Sequence, residues 1–284
     1  MDPRAAAAIA ALTSVDLGHA ITCFQSGVRQ EDVPLTHVAA EFPSSPASLT
    51  ALTAFLARFD AAVGPWFHLH GYVGLARLLA VSTAMSTRRS LLAHAAFTGN
   101  LPRLQFLFHA LGPLVEPSTV LLDLAATHGH VHVLTYLHHQ PGQTASTAAM
   151  NGAAAHGHLN VVQFLHAHRT EGCTTDAMDR AAESGHLAVL EWLDNVRDAR
   201  CTVRALDAAA THGHVEVVRY LVEDVGILCS ANALLAAAAA GHDAVVRLVW
   251  SRLLDKDVAR ANAMRLADRA GQGHAVQMLA ATCV

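Results

Sequence analysis

The sequence predicts an all-α fold: a solenoid of about eight helix–turn–helix repeats with shortened loops, preceded by an N-terminal helical cap. Three observations carry this. A thirteen-residue phrase, Ala153-Ala154-Ala155-His156-Gly157-His158-Leu159-Asn160-Val161-Val162-Gln163-Phe164-Leu165, returns from Ala181 to Leu193 and from Ala209 to Leu221. Its anchoring glycine recurs as Gly71, Gly99, Gly129, Gly157, Gly185, Gly213, Gly241 and Gly271, at spacings of 28, 30, 28, 28, 28, 28 and 30. A Ser or Thr stands eleven residues before that glycine in five successive copies, as Ser118, Ser146, Thr174, Thr202 and Ser230. Self-similarity at a fixed period marks a repeat architecture in which each unit buries its apolar face against the next.

Residues 1–58 do not show the repeat and read as the cap that the first copy needs over its open apolar face. Within them, Ala5 to Leu12 is a helical segment, Gly18-His19 is an isolated echo of the repeated Gly-His pair, and Pro43-Ser44-Ser45-Pro46 is a loop. Ala47 to Val63 follows as an amphipathic helix, with Leu49, Leu52, Phe55, Leu56 and Phe59 at helical spacing. The array occupies residues 59–284.

In each copy the hydroxyl residue caps a first helix by accepting a bond from an orphan N–H. About ten good helix formers follow, rich in Ala. The glycine stands where a helix C-terminus needs a left-handed residue. A second helix then carries apolar positions such as Leu187, Val189, Leu190 and Leu193. The end copies depart from this plan. Gly64-Pro65 should break or shorten the first helix of the first copy. The last copy lacks His beside Gly271 and has Asp268-Arg269 where others have Ala and a variable residue. The two 30-residue spacings put insertions near Leu111-Gly112-Pro113 and Leu253-Leu254-Asp255.

A net charge of −4 leaves no basic footprint for nucleic acid. The most apolar run, Ala231 to Ala240, is far short of the ~20 residues that span a bilayer. Met1-Asp2-Pro3-Arg4 ahead of Ala5 to Leu12 lacks the positive start of a secretory leader. Cys173, Cys201 and Cys229 share one column of the repeat. Stacked helices lie ~8–10 Å apart, whereas a disulfide needs Cα atoms within ~7 Å. They read as reduced thiols in a cytoplasmic protein, with the nucleus as the other compartment.

Ala-Ala-x-x-Gly-His-x-x-Val-Val-x-x-Leu resembles the core of the ankyrin repeat, and Gly213-His214-Val215-Glu216-Val217-Val218-Arg219-Tyr220-Leu221-Val222-Glu223 matches it closely. The resemblance covers about residues 59–284 and is strongest in the middle five copies. The period is 28 where the family's is about 33, and the family's Thr-Pro-Leu-His is absent. Its Leu survives as Leu122, Met150, Met178, Leu206 and Leu234, while its His position holds Asp123, Asn151, Asp179 and Asp207. Five missing residues imply that the family's β-hairpin fingers are reduced to plain turns.

The 20 histidines suggest metal, and His128-Gly129-His130, His156-Gly157-His158 and His212-Gly213-His214 recur. The structural reading is stronger: His130, His158, His186, His214 and His242 sit where an imidazole bonds turn backbone, and copies ~8–10 Å apart cannot share a zinc that wants nitrogen at ~2.0–2.1 Å. Asp123, Asn151, Asp179 and Asp207 read as a hydrogen-bonded ladder between copies rather than catalytic carboxylates, which need unequal environments. Trp192, Trp250, Tyr136, Phe164 and Tyr220 on the second helices read as packing residues before interface anchors.

The expectation is a non-enzymatic scaffold, a monomer without cofactor, metal, nucleic acid or membrane, that binds another protein on the concave surface of the array. By the resemblance, the partner-facing residues are the two before each glycine: Phe97, Thr98, Thr127, His128, Ala155, His156, Glu183, Ser184, Thr211 and His212. They vary in chemistry while the flanking Ala-Ala and Gly-His do not. Two other readings stay open: an adaptor whose residues 1–58 recruit machinery such as a ubiquitin ligase, and a His-rich metal-binding protein.

Overall fold

The computed structural model describes residues 33–42, 49–82, 84–112, 115–197, 201–253 and 257–281. Ala5 to Leu12, Gly18-His19 and the Pro43-Ser44-Ser45-Pro46 loop lie outside the described residues. The described residues form sixteen helices: α1 (Val33–Ala40), α2 (Leu49–Val81), α3 (Met85–Phe97), α4 (Leu101–Leu111), α5 (Val120–Thr127), α6 (Val131–His138), α7 (Thr147–Ala155), α8 (Leu159–His168), α9 (Thr175–Glu183), α10 (Leu187–Arg197), α11 (Val203–His212), α12 (Val215–Glu223), α13 (Ala231–Ala240), α14 (Asp243–Arg252), α15 (Asp257–Arg269) and α16 (Gly273–Ala281). None is long and apolar enough to cross a membrane. The chain divides into two compact units, Met1–Leu124 with Gln140–Gly142, and Ala125–His139 with Gln143–Val284.

In the first unit α1 packs on α2 and α3, and α2 on α3 and α4. The apolar stripe of α2 behaves as its spacing predicts: Leu52, Phe55, Leu56 and Phe59 are buried, with Phe55 and Phe59 stacked at 5.8 Å. The predicted break at Gly64-Pro65 is overturned. The helix runs through Pro65 and turns only at Gly71, at φ 57 and ψ −154. An interior proline costs ~3 kcal/mol, but Val63 and Trp66 on either side of it are buried. Burying such side chains contributes ~1.5–3 kcal/mol each, enough to hold the helix together.

In the second unit the first helices α7, α9, α11, α13 and α15 pack in succession, and so do the second helices α6, α8, α10, α12, α14 and α16. The sequence dictates both rows. Ala153, Ala154, Ala181, Ala182, Ala209, Ala210, Ala237 and Ala238 are fully buried and let the first helices approach closely. Val161, Val162, Val189, Leu190, Val217, Val218, Val245 and Val246 fill the space between the rows. Each turn glycine is left-handed, as at Gly157, Gly185 and Gly213 with φ of 75, 79 and 76.

The predicted caps are present. The hydroxyls of Ser146, Thr174, Thr202 and Ser230 accept from the backbone N–H of Ala148, Asp176, Arg204 and Ala233. The predicted ladder is present too, and it grips those same caps. The Asp179 carboxylate accepts from the Thr202 N–H at 3.1 Å and from the Thr202 hydroxyl at 2.7 Å. Asn151 accepts from the Thr174 N–H and donates to its hydroxyl, and the Ser230 hydroxyl donates to Asp207. One carboxylate or amide of each copy therefore fixes the helix start of the next, so that cap and stack are a single cooperative unit. The returns between copies are short, with Gly142, Gly172 and Gly226 in left-handed turns.

Cys173, Cys201 and Cys229 are half-buried thiols. Cys201 Sγ lies 3.7 Å from Met178 Sδ of the preceding copy.

Candidate partner-binding site

The turn residues are held by bonds that cross from one copy to the next. His214 Nε2 donates to the Glu183 carbonyl at 3.0 Å, and His242 Nε2 to the Thr211 carbonyl at 3.1 Å. His158 and His186 bond the carbonyls of Thr127 and Ala155 in the same way. The turn backbone is the acceptor, as predicted, but it belongs to the preceding copy. A carbonyl only accepts, so Nε2 carries a proton in the His214 and His242 rings. Burial holds the pKa of His158 and His186 below the ordinary histidine value, and neighbouring imidazoles add to this.

The residue two before each glycine thus has its backbone pinned, and its side chain is what remains to vary. Glu183, Ser184, Thr211 and His212 are exposed, and Ala155 is half-buried. The Thr211 hydroxyl donates to the Asp207 carbonyl at 2.7 Å. His156 is exposed and its Nδ1 donates to the Gly152 carbonyl, as that of His212 does to the Ala208 carbonyl. In the first unit, Thr98 is exposed and bonds the His94 carbonyl, while Phe97 is half-buried.

Thr127 differs from the others in this column. It is 5% exposed and packs on Gly152 of the next copy, where a Cβ would overlap the Thr127 hydroxyl. Its freedom to differ from Glu183 and Thr211 comes from that glycine. His128 is half-buried, and its pKa is lowered to about 4 by burial first and then by His130, His156 and His158.

One pair of imidazoles from neighbouring copies approaches more closely than helix spacing suggests, His128 and His156 at 6.3 Å, while His156 and His158 of one turn stack at 6.1 Å. Among the described residues, no group of three or more His, Cys, Asp or Glu is arranged to hold a metal ion.

Beside Glu183 an open groove of about 300 Å³ runs between α9 and α11, lined by Asp176, Asp179, Arg180, Arg204 and Ala208. Arg180 pairs with Asp176 at 2.9 Å, and Asp179 is committed to Thr202. Asp176, Arg180 and Arg204 were not among the residues singled out from sequence. A signal for two of them was present: the position nine before the glycine holds Ala148, Asp176, Arg204 and Asn232 in successive copies, a variability as wide as that of the turn.

The aromatic residues of the second helices are half-buried and also reach back one copy. Phe164 meets His138, Trp192 meets His166, and the Tyr220 hydroxyl donates to Asp194 at 2.8 Å. Trp250 lies two positions further along its repeat, in the column of His138, His166 and Asp194, so it is not a copy of the others.

Two family models match the chain. Ankyrin repeats (many copies) covers residues 148–193, and Ankyrin repeat covers residues 204–233. Among solved structures, the ankyrin repeat domain of human ASB11 superposes with a TM-score of 0.52 at 21% identity, over 66% of this chain and 96% of that one. No curated protein matches in sequence. Residues 148–193 and 204–233 thus match ankyrin repeats and the fold is that of an ankyrin-repeat solenoid, a kind of module that binds other proteins.

Proposed function

We propose that this chain is a non-enzymatic scaffold that binds a partner protein through the turn residues and first helices of its array, the concave surface of ankyrin folds. The observation that carries this is the division of labour at the turn. The backbone of Glu183 and Thr211 is fixed by His214 and His242, while their side chains face solvent. Side chains held on a rigid frame lose little freedom on binding. The groove beside Glu183 extends that surface onto α9 and α11. In this reading the protein is monomeric, works in the cytoplasm or nucleus without a cofactor, and residues 1–58 cap residues 59–284.

The test is the double variant Glu183→Lys with Thr211→Arg, and Thr127→Arg as its contrast. Exposed substitutions usually change stability by less than ~0.5 kcal/mol, so the double variant melts like wild type and fails to capture at least one cytosolic protein that wild type retains. Thr127→Arg unfolds at lower temperature. Undiminished capture of every partner by a folded double variant overturns the assignment.

A further inference from the structure

The first unit contains a polar side-chain network, buried at His94 and Arg103, whose side chains take no part in the stacking bonds of the second unit. Asp60 of α2, His94 of α3 and Arg103 of α4 are joined in series: His94 Nε2 to Asp60 Oδ1 at 2.8 Å, and Arg103 Nη1 to His94 Nδ1 at 3.3 Å. His94 is 1% exposed and Arg103 8%, whereas the Asp60 side chain is 55% exposed. The Arg103 guanidinium lies 4.1 Å over the Phe67 ring, and its Nε is buried without a hydrogen-bond acceptor. Phe59 meets the His94 ring edge-on at 5.6 Å.

The chemistry of the two ends fixes the state of the middle. A carboxylate can only accept, so Nε2 carries hydrogen; a guanidinium can only donate, so Nδ1 must be bare. Both bonds exist together only with a neutral ring. A proton on Nδ1 removes the acceptor from a buried cation that already lacks one at Nε, and sets a second positive charge beside it where little water can screen the pair. Asp60 opposes this, but from a solvated position that weakens its field.

We propose that Asp60, His94 and Arg103 form an acid-sensitive latch, which ties α2, α3 and α4 together while His94 is neutral and loosens them when it is protonated. The titratable groups bearing on His94 are Asp60 of α2 and Arg103 of α4, and Tyr72 of α2 bears on Arg103. Burial, the largest influence, and then Arg103 hold the His94 pKa down against the pull of Asp60. The latch belongs to one copy. Later copies hold Leu124, Gly152, Arg180, Ala208 and Ala236 at the position of His94.

Hydrogen exchange of peptides from residues 85–112, followed by mass spectrometry in the full chain at pH 7.5 and 5.5, tests this. A group kept neutral in the fold but titrating near 6.5 when released raises the opening constant about tenfold across that interval. Wild type should show a rise of that order once intrinsic exchange rates are divided out. His94→Gln can make both bonds without a proton to gain and should flatten the rise to within about twofold, while Arg103→Met leaves the burial in place but lets His94 charge more readily beside Asp60 and should lessen the rise. If His94→Gln does not fold at neutral pH, Arg103→Met and wild type decide the matter. A wild type whose opening is the same at both pH values, or variants that keep the tenfold rise, overturns the latch.

Discussion

The imidazole of His214 lies directly over Gly185 of the preceding copy, so close that a Cβ built on the glycine would fall 2.7 Å from Nδ1. Gly157 and His186, and Gly213 and His242, repeat the relationship. The turn therefore needs glycine twice over, for its left-handed backbone and for the ring that covers it.

Gly271 separates the two requirements. Its φ is 74, but a Cβ there meets nothing within 4 Å. Gly271→Ala should cost only the left-handed penalty of ~1–2 kcal/mol. Gly185→Ala should add ~1–3 kcal/mol for overpacking against His214. Urea unfolding of both variants checks this; equal losses would mean that the ring moves aside freely.

The clamp at Thr202 predicts a difference between two small changes at Asp179. Asn should be tolerated, because Asn151 already serves Thr174 in that geometry, accepting with its oxygen and donating with its nitrogen. Asp179→Ala strips partners from the Thr202 N–H and hydroxyl, and should cost ~1–3 kcal/mol. Thermal melting of Asp179→Asn and Asp179→Ala side by side reads the contrast, and an Asn variant as damaged as the Ala variant would refute it.

Acid should weaken the second unit. His128, His158 and His186 all have pKa values held below 6.5 in the fold, His128 at about 4. A base whose folded pKa is depressed binds more protons when unfolded. Its contribution is complete above 6.5 and is lost as pH falls from there toward the folded value. The melting temperature should fall between pH 6.5 and about 4, and His128→Gln should fall less steeply. A melting temperature constant across that range would contradict the half-buried, neutral state of these rings.

Cys201 should react slowly. Burial first, and then Asp179 and Asp194, push its thiol up to about 12, and burial also raises Cys229. The thiolate is the nucleophile, so iodoacetamide at pH 8 should label Cys201 far more slowly in the native chain than in urea. Equal rates would place the thiol in open solvent.

The features legible in the sequence were those written within a single copy. The left-handed glycine, the hydroxyl cap eleven residues before it and the buried Ala pair each have a local cause that recurs. What the sequence did not disclose lies between copies. Thr127 reads as a variable surface residue until Gly152, 25 positions away, is placed against it. The histidine beside each glycine reads as bonding turn backbone, but which turn is open until stacking supplies the carbonyl of Glu183 or Thr211. The helix through Pro65 was illegible for a related reason: tertiary burial of Val63 and Trp66 outweighs a local breaker.

The histidine bonds and the cap bonds that join one copy to the next keep the same polarity at each joint. Each histidine reaches back to an earlier glycine and carbonyl, and each Asp or Asn reaches forward to a later hydroxyl. Every 28-residue module between Asn151 and His242 thus carries the same plug at one end and the same socket at the other. A duplicated or deleted module leaves matched ends at the splice, so the gene can lengthen or shorten this part of the protein without inventing a new joint. Gln272, which takes the histidine's place over Gly241, is where that interchangeability stops.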